Sequence, residues 1–408
     1  MPHSAAALAR WATALAPVPD DLALADRSLR DTLAVTLAAR GHALERLTEG
    51  LPEAARWAAL GHVLDFDDLH LPSTAHISVV CVPAVLAAGG DARAYLAAAG
   101  VMARIGTALG WRHYTSGWHA TCTAGAPAAA VGAGLALGLD AEGLARAMAL
   151  ALPAAGGVQR AFGTDTKALQ VGFATDAGVR AARLAATGAS ADPEAFDDWL
   201  ALLGGDPDAL DTDPAAPAVP DGLAVKVFPC CYAMQRPVGA VRSLLEQAPV
   251  DPARITDIVV RTPSAAVHPL IHSRPRTGLE GKFSLEYAVA AALLDGHPGF
   301  ASFTDDEVNR PAARRLVELV RTVTTPGGSG LLTGETRVEI TTADGEVHRA
   351  SLTLPPGAPG LPPTDREFAA KTADCGPDVP ALLARPDWAS APEILRTAFP
   401  APGPLDPS

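Results

Sequence analysis

Leu8, Trp11 and Leu15, and then Leu29, Leu33 and Leu37, recur at three- and four-residue spacing and predict helices through residues 1–60. The pattern breaks at Asp65-Phe66-Asp67-Asp68, and a polar loop runs on to Ser78. Residues 79–87 predict a helix with Pro83 near its first turn, and 91–109 predict another. Gly117-Trp118-His119-Ala120-Thr121 reads as a loop or helix start. The following stretch, 126–137, is so rich in Ala and Gly that its helix is expected to be buried in close contact with its neighbours. Gly138-Leu139-Asp140 ends that helix, and Asp140 caps the next, 141–151. A further long helix is predicted over 166–187. Residues 204–222 hold nine Asp or Pro and read as a loop.

The texture changes near residue 250. Residues 255–262 are β-branched and strand-like, and 335–341 alternate cleanly. Asp344-Gly345 predicts a hairpin turn, with 347–354 as its return strand. Helices are expected between these strands at 285–294 and 305–320, and after them at 365–372 and 379–385. The Pro-rich last ten residues are expected to fray. The fold class is therefore mostly α: a large all-helical domain over 1–249, to which 365–408 return, and a smaller α/β lid domain over 250–364.

Composition narrows the function. The chain has 408 residues, 49% hydrophobic, 19% charged and only 5% aromatic, with a net charge of −13. No basic run offers a face for nucleic acid or an anionic membrane, so neither is an expected partner. The most apolar stretch, 124–139, contains four Gly and one Pro and is shorter than the ~20 residues of a membrane span. No basic n-region and apolar h-region open the chain, and a cytoplasmic protein is expected. The five cysteines are odd in number, two are adjacent, and no C-x-x-C pair suggests zinc.

Lysine is scarce. Of 32 basic residues only Lys167, Lys226, Lys282 and Lys371 are lysines. A lysine retained where Arg is otherwise used points to work that a guanidinium cannot do, because an ammonium can shift its pKa and trade a proton. Three of the four fall in polar clusters that interrupt the hydrophobic periodicity. The clusters are Asp65-Phe66-Asp67-Asp68-Leu69-His70 with Ser73-Thr74-Ala75-His76; Gly117-Trp118-His119-Ala120-Thr121; Gly163-Thr164-Asp165-Thr166-Lys167; Lys226-Val227-Phe228-Pro229-Cys230-Cys231; and Lys282-Phe283-Ser284-Leu285-Glu286-Tyr287. Each alone has a plain reading, as a helix cap, a core histidine or a surface lysine. The spacing of His70 and His76 matches no standard metal motif, and the Asp-rich loop makes a poor Mg²⁺ cage.

Taken in order, these five motifs resemble the MmgE/PrpD family, whose members include 2-methylcitrate dehydratase, cis-aconitate decarboxylase and iminodisuccinate epimerase. The resemblance covers nearly the whole chain. It implies a helical domain with an α/β lid, an active site at their junction, a homodimer, and neither metal nor organic cofactor. The implied activity is a lyase, decarboxylating or dehydrating a small di- or tricarboxylate by acid–base chemistry α to a carboxylate; the alternative is an epimerase or isomerase on the same scaffold. By resemblance the catalytic positions are Asp65, His76, His119, Lys167, Lys226 and Tyr287. His119 is expected to transfer a proton, Lys167 and Lys226 to clamp carboxylates, with proton transfer by either lysine as a further role, and Asp65 to orient a His or Lys. Substrate contacts are expected from His70, Cys231, Lys282 and Ser284. The sequence departs from the family at Leu69, where many relatives carry Thr. It departs again at Cys231, where the decarboxylases carry His, and at Met234-Gln235-Arg236, where dehydratase-like members carry His.

Overall fold

In a computed structural model that describes residues 4–384 and 386–400, the small-residue segment forms the centre of a helical unit. The chain divides into two compact units: residues 1–160, 165–223 and 375–408 form the first, and 161–164 with 224–374 the second. The first unit opens with helices α1 (Ser4–Ala14), α2 (Pro19–Leu37), α3 (Ala43–Leu47) and α4 (Glu53–Val63). It continues through α5 (Ser78–Ala88), α6 (Ala92–Thr115), α7 (Ala120–Ala136), α8 (Ala141–Ala151), α9 (Asp165–Ala186) and α10 (Ala195–Leu202).

Helix α7 is buried from Ala120 through Gly134 and packs against α5, α6, α8 and α9. Its lack of large side chains is what allows this. A Cβ on Gly178 of α9 would stand 2.4 Å from the Ala126 carbonyl oxygen, and one on Gly172 would stand 2.5 Å from that of Ala55. Backbone therefore meets backbone where α9 crosses α7 and α4, and this close approach fixes the helices that carry the polar clusters.

Asp140 caps α8 as the sequence predicts, its Oδ1 accepting from the Gly143 N–H at 2.8 Å. Asp91 likewise caps α6, which runs past the expected 109 to Thr115 across a break at Gly110. Pro83 lies inside α5 rather than in its first turn, because that helix begins at Ser78 and continues through the proline.

In the second unit, α11 (Tyr232–Gln247), α12 (Gly278–Gly281), α13 (Leu285–Asp295), α14 (Asp305–Asn309), α15 (Pro311–Leu319) and α16 (Asp365–Asp374) accompany a four-stranded sheet. Its strands are β1 (Ile255–Pro263), β2 (Val320–Thr325), β3 (Thr336–Thr342) and β4 (Val347–Leu352), in the order β2-β1-β3-β4. β1 and β2 are parallel, pairing Ile258 with Val320, and the β1–β3 and β3–β4 pairs are antiparallel. The clean alternation of β3 is real: Thr336, Val338, Ile340 and Thr342 are all buried. Residues 305–320 do not form one helix. Pro311 begins a new one, and the chain then enters β2 at Val320.

The second unit starts at Ala224, ahead of the change of texture at 250, because α11 packs on β3, β4 and α13 and belongs with the sheet. Arg236 of α11 is held there by the carbonyl oxygens of Leu331, Leu332, Thr333, Gly334 and Thr353. α16 also belongs to this unit, whereas α17 (Val379–Leu382) and α18 (Ala391–Ala398) belong to the first. The end expected for the helix at 379–385, and most of the expected frayed tail, lie outside the described residues. The fold is mostly α with a smaller α/β portion. Among the described residues no helix is long and apolar enough to cross a membrane.

Candidate active site

Helix α4 ends at Val63, and Asp65 takes the left-handed conformation that usually falls to glycine at such a C-terminus, with φ of 55°. An aspartate tolerates this better than most side chains. The turn leaves His62, on the last turn of α4, and Asp65 and Asp67, just beyond it, in one buried patch. The next residues close the loop locally. His70 donates its N–H to Ala75 O at 2.8 Å, and its ring pairs with Ser73 Oγ and Pro220 O. Asp68 accepts from both the N–H and the hydroxyl of Ser78 at the start of α5. His76 is tied to the second cluster, its N–H donating to Thr121 Oγ1 at 3.0 Å.

His119 is the residue before α7. Its N–H donates to Gly157 O at 2.9 Å, and Gln159 donates back to Gly117 O at 2.9 Å, a short strand-like pairing around the Trp118–Val158 bridge. Gly157 has φ of +138°, and a Cβ there would stand 2.7 Å from that of Cys122, so this position requires glycine. Lys167 and Gln170 lie three residues apart on α9, hence on one face of it.

These elements bring Asp65, His76, His119 and Lys167 together, as the sequence anticipates, and add His62, Asp67, Cys122 and Gln170. Lys167 Nζ lies 3.2 Å from Asp65 Oδ2 and 2.7 Å from His62 Nε2. His62 Nδ1 and His76 Nδ1 both reach Asp67 Oδ2, at 2.7 and 2.8 Å. The His62 ring stacks on His119 with centroids 5.7 Å apart and meets His76 edge-on at 4.7 Å. His119 Nδ1 lies 2.8 Å from Gln170 Nε2 and 3.4 Å from Cys122 Sγ.

Burial dominates the electrostatics. It holds His119 well below the ordinary imidazole range, and His62, Lys167 and His76 push the same way. Burial also lowers His62, against the pull of Asp67. For Asp67 burial acts upward, but His62 and His76 outweigh it and the carboxyl sits well below its usual range. Burial raises the Cys122 thiol, which stays protonated. An ionised Asp67 only accepts, so His62 carries its proton on Nδ1 and accepts from Lys167 on Nε2.

The same geometry bears on metal binding. His62, Asp67 and His76 offer three ligand atoms within 4.8 Å of one another, donors that suit a divalent transition metal, although their spacing in the chain matches no standard motif. Both imidazoles lie at hydrogen-bond distance from the shared carboxylate oxygen, and the far nitrogen of His62 is held by an ammonium. A cation there would have to displace both bonds against the charge of Lys167. The trio reads better as a hydrogen-bonded group than as a metal cage.

The remaining expected residues have these local partners. His70 is outside the cluster, held by Ser73 and Pro220. Lys226 is buried in the second unit, on a segment fixed by Gln235 of α11, whose Oε1 accepts from both Val227 N and Phe228 N at 3.1 Å. Lys282 Nζ donates to Pro229 O at 2.7 Å, and Lys282 O accepts from Cys231 N at 3.0 Å. Ser284 caps α13, its Oγ accepting from Tyr287 N, and the Tyr287 hydroxyl donates to Ser302 O. His62 and Gln170 escaped the sequence reading because each sits inside a helical run. Their signal is spacing: His62 is three residues before Asp65, and Gln170 three after Lys167.

Residues 51–202 match the MmgE/PrpD N-terminal domain, and residues 228–382 match the MmgE/PrpD C-terminal domain. The chain is also similar to cis-aconitate decarboxylase of Aspergillus terreus. The two are 26% identical over 351 residues, covering 74% of this chain and 70% of that protein. The decarboxylase of Aspergillus terreus strain NIH 2624 / FGSC A1156 matches to the same extent. With one domain model matching the helical half and the other the sheet-bearing half, the chain belongs to the MmgE/PrpD family.

Proposed function

We propose that this chain is a lyase that acts on a small di- or tricarboxylate by acid–base chemistry beside a carboxylate, with no metal or organic cofactor. The observation that carries the reading is the buried Lys167 ammonium, set between Asp65 and His62 beside two further imidazoles. Removing an ammonium from water is costly, and a structural role would be met at lower cost by an apolar side chain. A cation and titratable rings in one buried patch suit an anionic substrate whose charge changes during reaction. The decarboxylase named among the relatives supports a carbon–carbon lyase.

In a decarboxylation, the bond from carbon to a carboxylate breaks, CO₂ leaves, and its electron pair stays on carbon until a proton arrives. Lys167 would neutralise a remaining carboxylate, and a buried N–H donor would supply the proton. In a dehydration, a base takes the α proton and an acid accompanies the departing hydroxide, giving water. Both need one group that holds charge and one that moves a proton. Lys226, Tyr287, Lys282, Ser284 and Cys231 enter the proposal through the family resemblance. The proposal includes a homodimer, which light scattering at micromolar concentration tests.

Proton NMR in D₂O with cis-aconitate, 2-methylcitrate and related acids tests the reading. A lyase gives a new alkene or a product lighter by CO₂ or water. Exchange of one α proton with the carbon skeleton and mass otherwise kept would overturn it in favour of an epimerase.

A further inference from the structure

We propose that Gln170 locks His119 as the neutral tautomer with its proton on Nε2, so that His119 meets the substrate as a proton donor, while His62, stacked on it, is locked in the opposite tautomer by Asp67. This rests on the lyase reading and assigns direction within that site.

Gln170 Oε1 accepts from the Val158 N–H at 3.0 Å, and its Nε2 lies 3.3 Å from Val158 O. Both contacts orient the amide the same way, so the group facing His119 Nδ1 at 2.8 Å is the NH₂. That group only donates, so Nδ1 accepts and carries no proton. Cys122 approaches the same nitrogen at 3.4 Å with a thiol that burial keeps protonated, and its S–H is able to donate to an unprotonated Nδ1. The one proton of a neutral His119 is then on Nε2. Asp65, His62, His76 and Lys167 are the charged and titratable groups that act on this ring, and the three basic ones oppose a second proton on it. Across the stack, the ionised Asp67 demands Nδ1–H from His62.

Gln170 is therefore a positioning residue, which acts through the ring it orients. Glu at this position keeps the acceptor for Val158 but turns a second acceptor toward Nδ1. His119 must then place a proton on Nδ1, either losing it from Nε2 or becoming imidazolium.

Long-range ¹H–¹⁵N correlation spectra of the wild type, with His119 assigned by its loss in His119→Gln, test this without turnover. The expected wild-type pattern at neutral pH is Nε2–H with an unprotonated Nδ1, and Gln170→Glu moves the proton to Nδ1 or protonates both nitrogens. Nδ1–H in the wild type, or an unchanged pattern in Gln170→Glu, overturns the inference whether or not the chain is a lyase. Where turnover is measurable, Gln170→Glu is expected to lower kcat by about 10²-fold, shift the pH profile and leave KM closer to normal. A loss in KM alone would show a packing role instead.

Discussion

The ammonium of Lys167 donates to Nε2 of His62 across 2.7 Å, joining the first turn of α9 to the last turn of α4. Through Nδ1 of the same ring the contact extends to Asp67 and on to His76. Lys167 is thus held from two sides, by Asp65 and by an imidazole whose own tautomer is fixed.

His62 is expected to matter for turnover more than for binding. His62→Gln removes the aromatic bridge between Lys167 and Asp67 and lets the ammonium shift. Misplacement of a reacting group by about 1 Å can cost roughly 10²-fold, so kcat is expected to fall by that order with KM changed less. Steady-state kinetics with a folded variant check this; unaltered kcat would remove His62 from the mechanism.

Asp68 gives a pH dependence to stability. Burial, reinforced by Asp31, lifts its carboxyl to about 7 against the bonds from Ser78. The folded state therefore holds its proton more tightly than the unfolded chain. The contribution is intact below about pH 4, erodes as pH rises, and is gone above about pH 7. Over pH 5 to 7 the erosion is about 2 kcal/mol. Asp68→Asn cannot ionise, so its melting temperature relative to wild type is expected to rise between pH 5 and pH 8. Parallel profiles for the two proteins would contradict the shift.

Lys226 distinguishes a charge from a proton carrier. If it only neutralises a carboxylate, Lys226→Arg keeps most of kcat and raises KM. The account expects kcat to fall by about 10²–10⁴-fold, because a guanidinium does not give up its proton and is larger. Near-normal turnover in this variant would assign Lys226 to charge alone.

Metal dependence is a separate test of the His62–Asp67–His76 trio. Dialysis against EDTA is expected to leave activity unchanged, and elemental analysis of purified protein to find far less than one transition metal per chain. Activity lost to EDTA and restored by one divalent ion would make the trio a metal site.

Much of the scaffold was legible because its signals are local. The cap at Asp140, the Ala- and Gly-rich buried helix and the alternation of β3 follow from near neighbours in sequence. β2 escaped because Val320-Arg321-Thr322-Val323-Thr324-Thr325 is mostly polar and is made a strand by parallel pairing with the distant β1. Pro83 and Pro127 sit inside helices where local propensity favours a break, and burial outweighs it. At the site, the residues with unusual side chains in broken patterns were visible: Asp65, His76, His119 and Lys167. His62 and Gln170 are polar residues within regular helices, and only the crossing of α9 over α4 and α7 reveals what they face. His70 looked equally chemical in the sequence, but its ring is paired with Ser73 of its own loop and with the carbonyl of the distant Pro220.

The central claim is that the buried Lys167 cluster carries out acid–base chemistry. Turnover of Lys167→Arg on a substrate confirmed for the wild type tests it most directly, since the substitution keeps the positive charge but replaces the compact ammonium held by Asp65 and His62 with a larger guanidinium that does not serve as an acid or base. The account predicts a kcat lower by about 10²–10⁴-fold with the circular dichroism spectrum of the wild type. A folded Lys167→Arg enzyme with kcat within a few-fold of wild type would contradict it.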